Sequence, residues 1–532
     1  MPHEIPEPAP QGGLKKRIIL CCDGTWFDSD DGFNKATLKN EATLQVASNV
    51  TRISRCFRRR CSDGTLQIIN YESGVGTGSN TIDTLTGGAF GLGLTQRVRE
   101  AYAFLCANYT DGDEIILIGW SRGAFTVRSV AGIISNLGLL TREGMDSFVP
   151  VFKDMQHWKD TDYQDPLPNI PFSNKPKGDN AAYIYRQRLE DLGLTRVTQQ
   201  TTGELIKVKA IGVWDTVGSL AGMTPTSAIA SNTLSTLWHL TKAVWFPGTH
   251  GNCGGGADDV GMANITLAWM IDQMASIGVE FYAPSALRMI AQQVNQYEAK
   301  AVQIASKGGK EPRQWAADPI YQANKPVRPW GMGAIEKAPS FVDWITGSTP
   351  RTPGQYHQVD RDTGDDRHGP FLIDTNERIH SSVRIRLACR GLGVNDKAEW
   401  TAPTLANWQL RRTTAQYEDP VPFDPLWDPA KHKAVIQAIA ANKVSDECGR
   451  KPNDDAGERW IWEYVGPEKD APTDKKQRIL VEEPLGPYER FLLNQVGGSP
   501  NVYLFAENKE MGNQPLKKRK YVSCQDSETE TE

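Results

Sequence analysis

The chain has 532 residues, 39% hydrophobic and 23% charged, with 48 Gly and 32 Pro, which is the composition of a globular protein with a sizeable core and many loops. Its 59 basic and 64 acidic side chains leave a formal charge of −5, without the concentrated basic surface that a nucleic acid partner requires. Nine cysteines without a CxxC pair exclude zinc-finger spacing and a dense disulfide framework, and they predict a reducing, cytoplasmic setting.

Residues 1–14 are polar and Pro-rich, lack the apolar core of a secretory signal and are expected to be disordered; no run of 18 apolar residues follows anywhere. Lys16 to Cys22, KRIILCC, reads as a central strand ended by Asp23-Gly24. The basic run Arg52 to Cys61 reads as a solvated face. Leu66 to Tyr71 is the next strand, running into a glycine-rich stretch and then the amphipathic helix TQRVREAYAFLCANY. The glycines at 74–78 lack both GxxxxGK[ST] and a GxGxxG opening a helix, so neither a nucleotide nor any other cofactor is implied. No metal-ligand spacing occurs either.

Glu114 to Gly123, EIILIGWSRG, is the most informative segment. An apolar strand ends in Gly119-x-Ser121-x-Gly123, and helical periodicity follows in AFTVRSVAGIISNLGLL. That is the strand–turn–helix setting of a nucleophile elbow, where flanking glycines let strand and helix approach and leave the serine hydroxyl presented. Between Leu139 and Leu205 lies a polar, Pro- and aromatic-bearing insertion too long for an ordinary connection, read as a lid at about 140–205. Val208 to Trp214 and Ala243 to Phe246 are later strands, the first ending at Asp215 and the second near His250; NITLAWMIDQMASIGVEFY is a further helix. Strands alternating with helices predict a mostly parallel sheet covered on both faces. Residues 15–282 would form this core, 283–513 a C-terminal lobe or extension of it, and 514–532 a disordered tail.

A serine hydroxyl needs a base within hydrogen-bond reach, and the base needs an acid to fix its tautomer. Asp215 and His250 follow Ser121 in the order Ser, Asp, His that α/β-hydrolases use, each after its own strand. Of the eight histidines, His380 in NERIHSSVRIRL competes with His250 for the role of base; Asp258 and Asp259 could orient a base but fall after His250. Donors for an oxyanion would be the backbone N–H of Arg122 and one from the loop Asp23-Gly24-Thr25-Trp26, at Gly24 or Thr25, although the same residues also make an ordinary Asp-Gly turn. Cys21 and Cys22 read as inert core thiols.

Taken together, RIILCCDGTW, YESGVGTG, GWSRGAFTVRSVAG, VWDTVGSL and VWFPGTHGNCGGG resemble the DUF2235 family, an alpha/beta-hydrolase group that includes the Tle1-type phospholipase effectors of bacterial type VI secretion. The resemblance covers about Lys16 to Tyr282 and extends more weakly to RIHSSV. It implies an alpha/beta-hydrolase fold, a lipid or carboxylic ester as substrate, transient contact with a membrane surface, Ser121 as nucleophile, Asp215 as triad acid, His250 as base, and Gly24 or Thr25 at the oxyanion hole. One departure stands out: the family follows its histidine with Ser-Asp-Val, whereas this chain has Gly251-Asn252-Cys253, removing an acidic group beside the base. A binding or scaffold protein on the same fold, its chemistry lost, is the alternative.

Overall fold

The computed structural model describes residues 15–24, 33–34, 43–44, 46–74, 89–217, 242–257, 259–290, 328–335, 352–356, 371–372, 375–395, 398–413, 459–472, 475–495, 502–503 and 506. The expectations for residues 1–14 and 514–532, Thr25, Asp258 and the glycines at 76 and 78 fall outside them.

In chain order the elements that position the site are β1 (Lys16–Cys22), α1 (Asn49–Ser54), β2 (Leu66–Glu72), α2 (Ala89–Asn108), β3 (Glu114–Trp120), α3 (Arg122–Leu137), α4 (Phe148–Gln156), α5 (Ala181–Asp191), β4 (Val208–Trp214), β5 (Ala243–Trp245), α6 (His250–Gly254), α7 (Gly261–Ser276), β6 (Glu377–His380), α8 (Ser381–Ala388), β7 (Trp408–Thr413), β8 (Arg459–Tyr464), β9 (Ile479–Glu483) and α9 (Pro487–Gln495). Strands β2, β1, β3 and β4 lie side by side in that order, all parallel, with Cys22 opposite both Glu72 and Gly119 and Trp120 opposite Trp214.

The apolar run of β1 is buried on both faces, as a strand inside a parallel sheet must be. Ile18, Leu20 and Cys22 join a core with α2 and α3, while Ile19 and Cys21 point the other way into a core with α1 and α7. The result is a helix–sheet–helix sandwich. Helix α7 is apolar nearly all round and is correspondingly buried over most of its length.

The described C-terminal residues extend this core. Strand β6 pairs in parallel with β5 and with β9, and β9 continues through antiparallel β8 to β7, a second sheet of five strands. Tyr488, Phe491, Leu492 and Leu493 of α9 belong to the same apolar cluster as Ile19 and Ile116 of the first sheet.

The insertion after α3 takes a different position from a lid. It leaves where α3 ends, about 24 Å from Ser121 along a 16-residue helix, and it returns at the start of β4. Phe148, Val151 and Phe152 of α4 with Tyr185 and Leu189 of α5 pack on Tyr102, Leu105, Val130 and Ile134. Each such buried side chain contributes roughly 1.5–3 kcal/mol, so the described insertion is a brace fixed to α2 and α3. Lys175 ties its loops together through Asp154 and Asp165.

Candidate active site

Parallel α/β sheets present chemistry at the carboxyl ends of their strands, and here β1 ends at Asp23, β3 at Ser121, β4 at Asp215 and β5 in the loop to His250. Ser121 has φ 56° and ψ −122°, a conformation that non-glycine residues rarely hold. The glycines on either side explain how it is tolerated. A Cβ at Gly119 would lie 2.6 Å from Gly123 O, and one at Gly123 would lie 2.6 Å from Asp23 O and closer still to Cys22 O. Helix α3 thus enters directly over the end of β1. The Ser121 backbone is also bound to the next strand's exit: its N–H donates to Trp214 O at 3.2 Å, and its C=O accepts from Val217 N at 3.2 Å.

Asp215, at φ 32°, turns out of β4, and its Oδ2 lies 2.6 Å from His250 Nδ1. The Asp215 turn is held from α3 as well, because Arg128 Nη1 donates to Thr216 Oγ1 at 2.9 Å. His250 is the first residue of α6 rather than part of an open loop. Its ring stacks on the Trp120 indole, 5.1 Å between centroids and 28° between planes. Gly254, one turn on, lies against the same indole so closely that a Cβ there would overlap it. Ser121 Oγ makes no hydrogen bond with His250 in this structure, although the two are joined through Trp120 and through the backbone of β4.

The Gly251-Asn252-Cys253 departure has a structural account. Asn252 Oδ1 accepts from Thr249 N at 3.1 Å and from Thr249 Oγ1 at 3.0 Å, and Asn252 Nδ2 donates to Ala334 O at 2.8 Å. Asn252 therefore caps the helix that carries His250, and its amide donates where a carboxylate could not.

One expected role is corrected. The N–H of Gly24 donates to Asp23 Oδ1 at 2.7 Å, so it is already used and is not an oxyanion donor. What Gly24 provides is space, since a Cβ would sit 3.2 Å from Ser121 Cβ and 2.7 Å from the Trp120 ring. Arg122 does start α3, where first-turn N–H groups have no acceptor within the helix; burial lowers its guanidinium pKa to about 10.

His380 is fully buried, with Nδ1 2.7 Å from Ser382 Oγ and Nε2 2.7 Å from Glu489 Oε1. Both ring nitrogens are occupied and no face reaches solvent, which rules it out as the base. Burial pushes its pKa down to about 3, and its ring stacks on Phe246 at 4.4 Å. Asp259 caps α7, accepting from Gly261 N and Ala334 N. Burial raises the pKa of both thiols at Cys21 and Cys22 well above their usual range. Trp120, Arg128 and Asn252 were not legible as site residues in the sequence; the only signal was their place within the matched blocks.

The parallel sheet and the strained elbow at the carboxyl end of β3 define the class: an α/β protein of hydrolase type with a serine at the strand–helix turn. Residues 16–240 and 236–273, just under half of this chain, match the family described as the type VI secretion system phospholipase effector, Tle1-like, catalytic domain. A Saccharomyces cerevisiae protein, Uncharacterized protein YEL023C, is 27% identical over 155 residues, covering 27% of this chain and 20% of its own length. A solved structure of the Tle1 effector bound to the VgrG spike of the type VI secretion system shares 16% identity at a TM-score of 0.22, covering 47% of this chain and 52% of that one. The chain thus spans about a fifth of the curated relative and about half of the solved effector chain.

Proposed function

We propose that the protein hydrolyses carboxylic esters of lipids, with Ser121 as nucleophile, His250 as general base and Asp215 as the acid that orients it. The observation that carries this is the 2.6 Å Asp215–His250 pair at the carboxyl ends of the strands, the same end as the strained Ser121 turn. The match to a phospholipase effector catalytic domain supports a lipid as the ester.

With Nδ1 donating to Asp215, Nε2 of His250 is the basic nitrogen. Ser121 Oγ attacks the ester carbonyl, and Nε2 takes its proton. The tetrahedral oxyanion is met by the N–H of Arg122 and by a second donor that we assign to Thr25. Collapse expels the alcohol, which receives the proton from Nε2, and water activated by the same nitrogen then releases the acid from Ser121. The open Ser121–His250 contact fits a resting enzyme, because catalytic hydrogen bonds of this kind often tighten only once substrate is bound. That open contact is also what favours the competing reading, a binding protein that keeps the fold without the chemistry.

No helix among the described residues is long and apolar enough to cross a membrane. We place the protein in a reducing, cytoplasmic setting, where it would meet lipid through transient contact with a surface; the seven described cysteines form no disulfide with one another.

The test is labelling with a fluorophosphonate, the adduct located by peptide mass analysis, followed by turnover of a phospholipid panel. Labelling at Ser121, lost in Ser121→Ala together with nearly all turnover, is the expected result. A folded wild-type protein that neither labels nor hydrolyses any ester would hand the question to the binding reading.

A further inference from the structure

Asp23 is 3% exposed at the end of β1, and four donors converge on it. Oδ1 accepts from Gly24 N; Oδ2 accepts from the hydroxyls of Ser48, Thr51 at 2.8 Å and Tyr71 at 2.8 Å. Tyr71 belongs to β2, whereas Ser48 and Thr51 form the entry and first turn of α1. A carboxylate so removed from water requires such partners, and charge-assisted bonds of this kind are about twice as strong as neutral ones.

The same turn of α1 reaches in the opposite direction. Asn49 Nδ2 donates to Cys253 O in α6 at 3.1 Å, and to Ala263 O and Thr266 Oγ1 in α7 at 2.9 and 3.0 Å. Ser48 forms a β-bridge with Gly255, just past the end of α6. Gly255 holds φ 92° there, and a Cβ on it would lie 2.9 Å from Asn49 N. One short turn is therefore bonded both to the β1 exit, where Gly24 lies against Ser121, and to the helix that begins with His250.

We propose that the first turn of α1, acting through Asn49 and Thr51, is a positioning clamp that fixes the β1 exit and the His250 helix at one spacing on either side of Ser121. The clamp rests on the hydrolase reading for its catalytic consequence and touches no substrate. Its residues hold backbone that must be in place when the tetrahedral intermediate forms, so loosening the clamp lowers the rate of the chemical step while leaving substrate binding nearly unchanged.

The experiment compares full-length wild type with Asn49→Ala, Thr51→Val and Thr51→Ser. Thr51→Val is nearly isosteric and loses the hydroxyl that Asp23 accepts, while Thr51→Ser restores it. The first readout is hydrogen exchange of peptides spanning residues 18–24 and 249–257, which needs no activity. Both segments are expected to exchange faster together in Asn49→Ala and in Thr51→Val, and to return to the wild-type rate in Thr51→Ser. The second readout is ester turnover and fluorophosphonate labelling, where kcat and labelling rate fall about tenfold or more with KM nearly constant, since a displacement approaching 1 Å costs up to about 10²-fold. Exchange that quickens only beside the substituted residue, or not at all, would overturn the clamp. So would a kcat per folded molecule equal to wild type. If wild type itself neither turns over nor labels, the hydrolase reading fails on that result, and hydrogen exchange still decides the clamp.

Discussion

Gly123→Ala tests the packing that makes the elbow. A methyl at this position would lie 2.5 Å from Cys22 C and 2.6 Å from Asp23 O, and closer still to Cys22 O. Ordinary carbon–oxygen approaches in proteins are about 3.3–3.6 Å, so α3 would have to retreat from β1 by about 1 Å. The strand cannot yield instead, because β1 is hydrogen-bonded to β2 on one side and β3 on the other. Overpacking of this kind costs about 1–3 kcal/mol, and a clash with backbone on both atoms belongs at the upper end. For a chain of this size, about 3 kcal/mol corresponds to a fall in Tm of only about 3 °C, so the urea midpoint is the more sensitive readout. The retreat also moves Ser121, and a misplacement of about 1 Å is enough to slow chemistry up to about 10²-fold. The assay is a thermal and urea unfolding series alongside the rate of fluorophosphonate labelling. Gly251→Ala serves as the comparison for stability, since nothing lies within 4 Å of its added Cβ and its φ is ordinary; it should be neutral or slightly stabilising. A Gly123→Ala protein as stable and as quickly labelled as wild type would refute the close approach of α3 to β1.

Asp215→Asn should lower kcat by about 10⁴-fold, the loss expected when the acid that fixes the histidine tautomer becomes an amide, with little change in Tm because Asp215 is partly exposed; steady-state turnover beside a melting curve decides it, and a modest drop would mean that His250 is oriented by something else. His380 gives a pH prediction. Burial depresses its folded pKa to about 3 from an unfolded value near 6.5, so between those values the unfolded chain binds the extra proton and the native state loses stability as pH falls. The stabilisation is fully present above about pH 6.5 and disappears progressively down to about pH 3. Urea midpoints taken across this window should fall more steeply for wild type than for His380→Gln, and equal slopes would show that the buried ring does not carry the effect.

Much of the architecture was legible along the chain because parallel strands buried on both faces must be apolar throughout. KRIILCC and EIILIGW carry no competing pattern, and the strand limits at Lys16–Cys22 and Val208–Trp214 follow from it. The elbow was legible for a local reason too, since a serine at positive φ between strand and helix needs glycines two residues to either side. The insertion was harder to read. Its aromatic and proline content marks a segment with its own packing, but composition does not say which end of the sheet it covers, and the answer came from where α3 stops.

Sequence by itself determined the helix–sheet–helix class, the serine turn and the order in which a serine, an aspartate and a histidine leave successive strands, all properties of short segments and their periodicity. Tertiary structure decided which histidine meets Asp215. His380 and His250 each stand at the start of a helix, and only packing buries one beneath Phe246 and Trp330 while setting the other against Trp120 within 2.6 Å of a carboxylate. It also decided that Asn252 caps a helix and that Gly24 has already given its N–H to Asp23. These outcomes depend on contacts between residues far apart in the chain, and neither spacing nor composition carries that information.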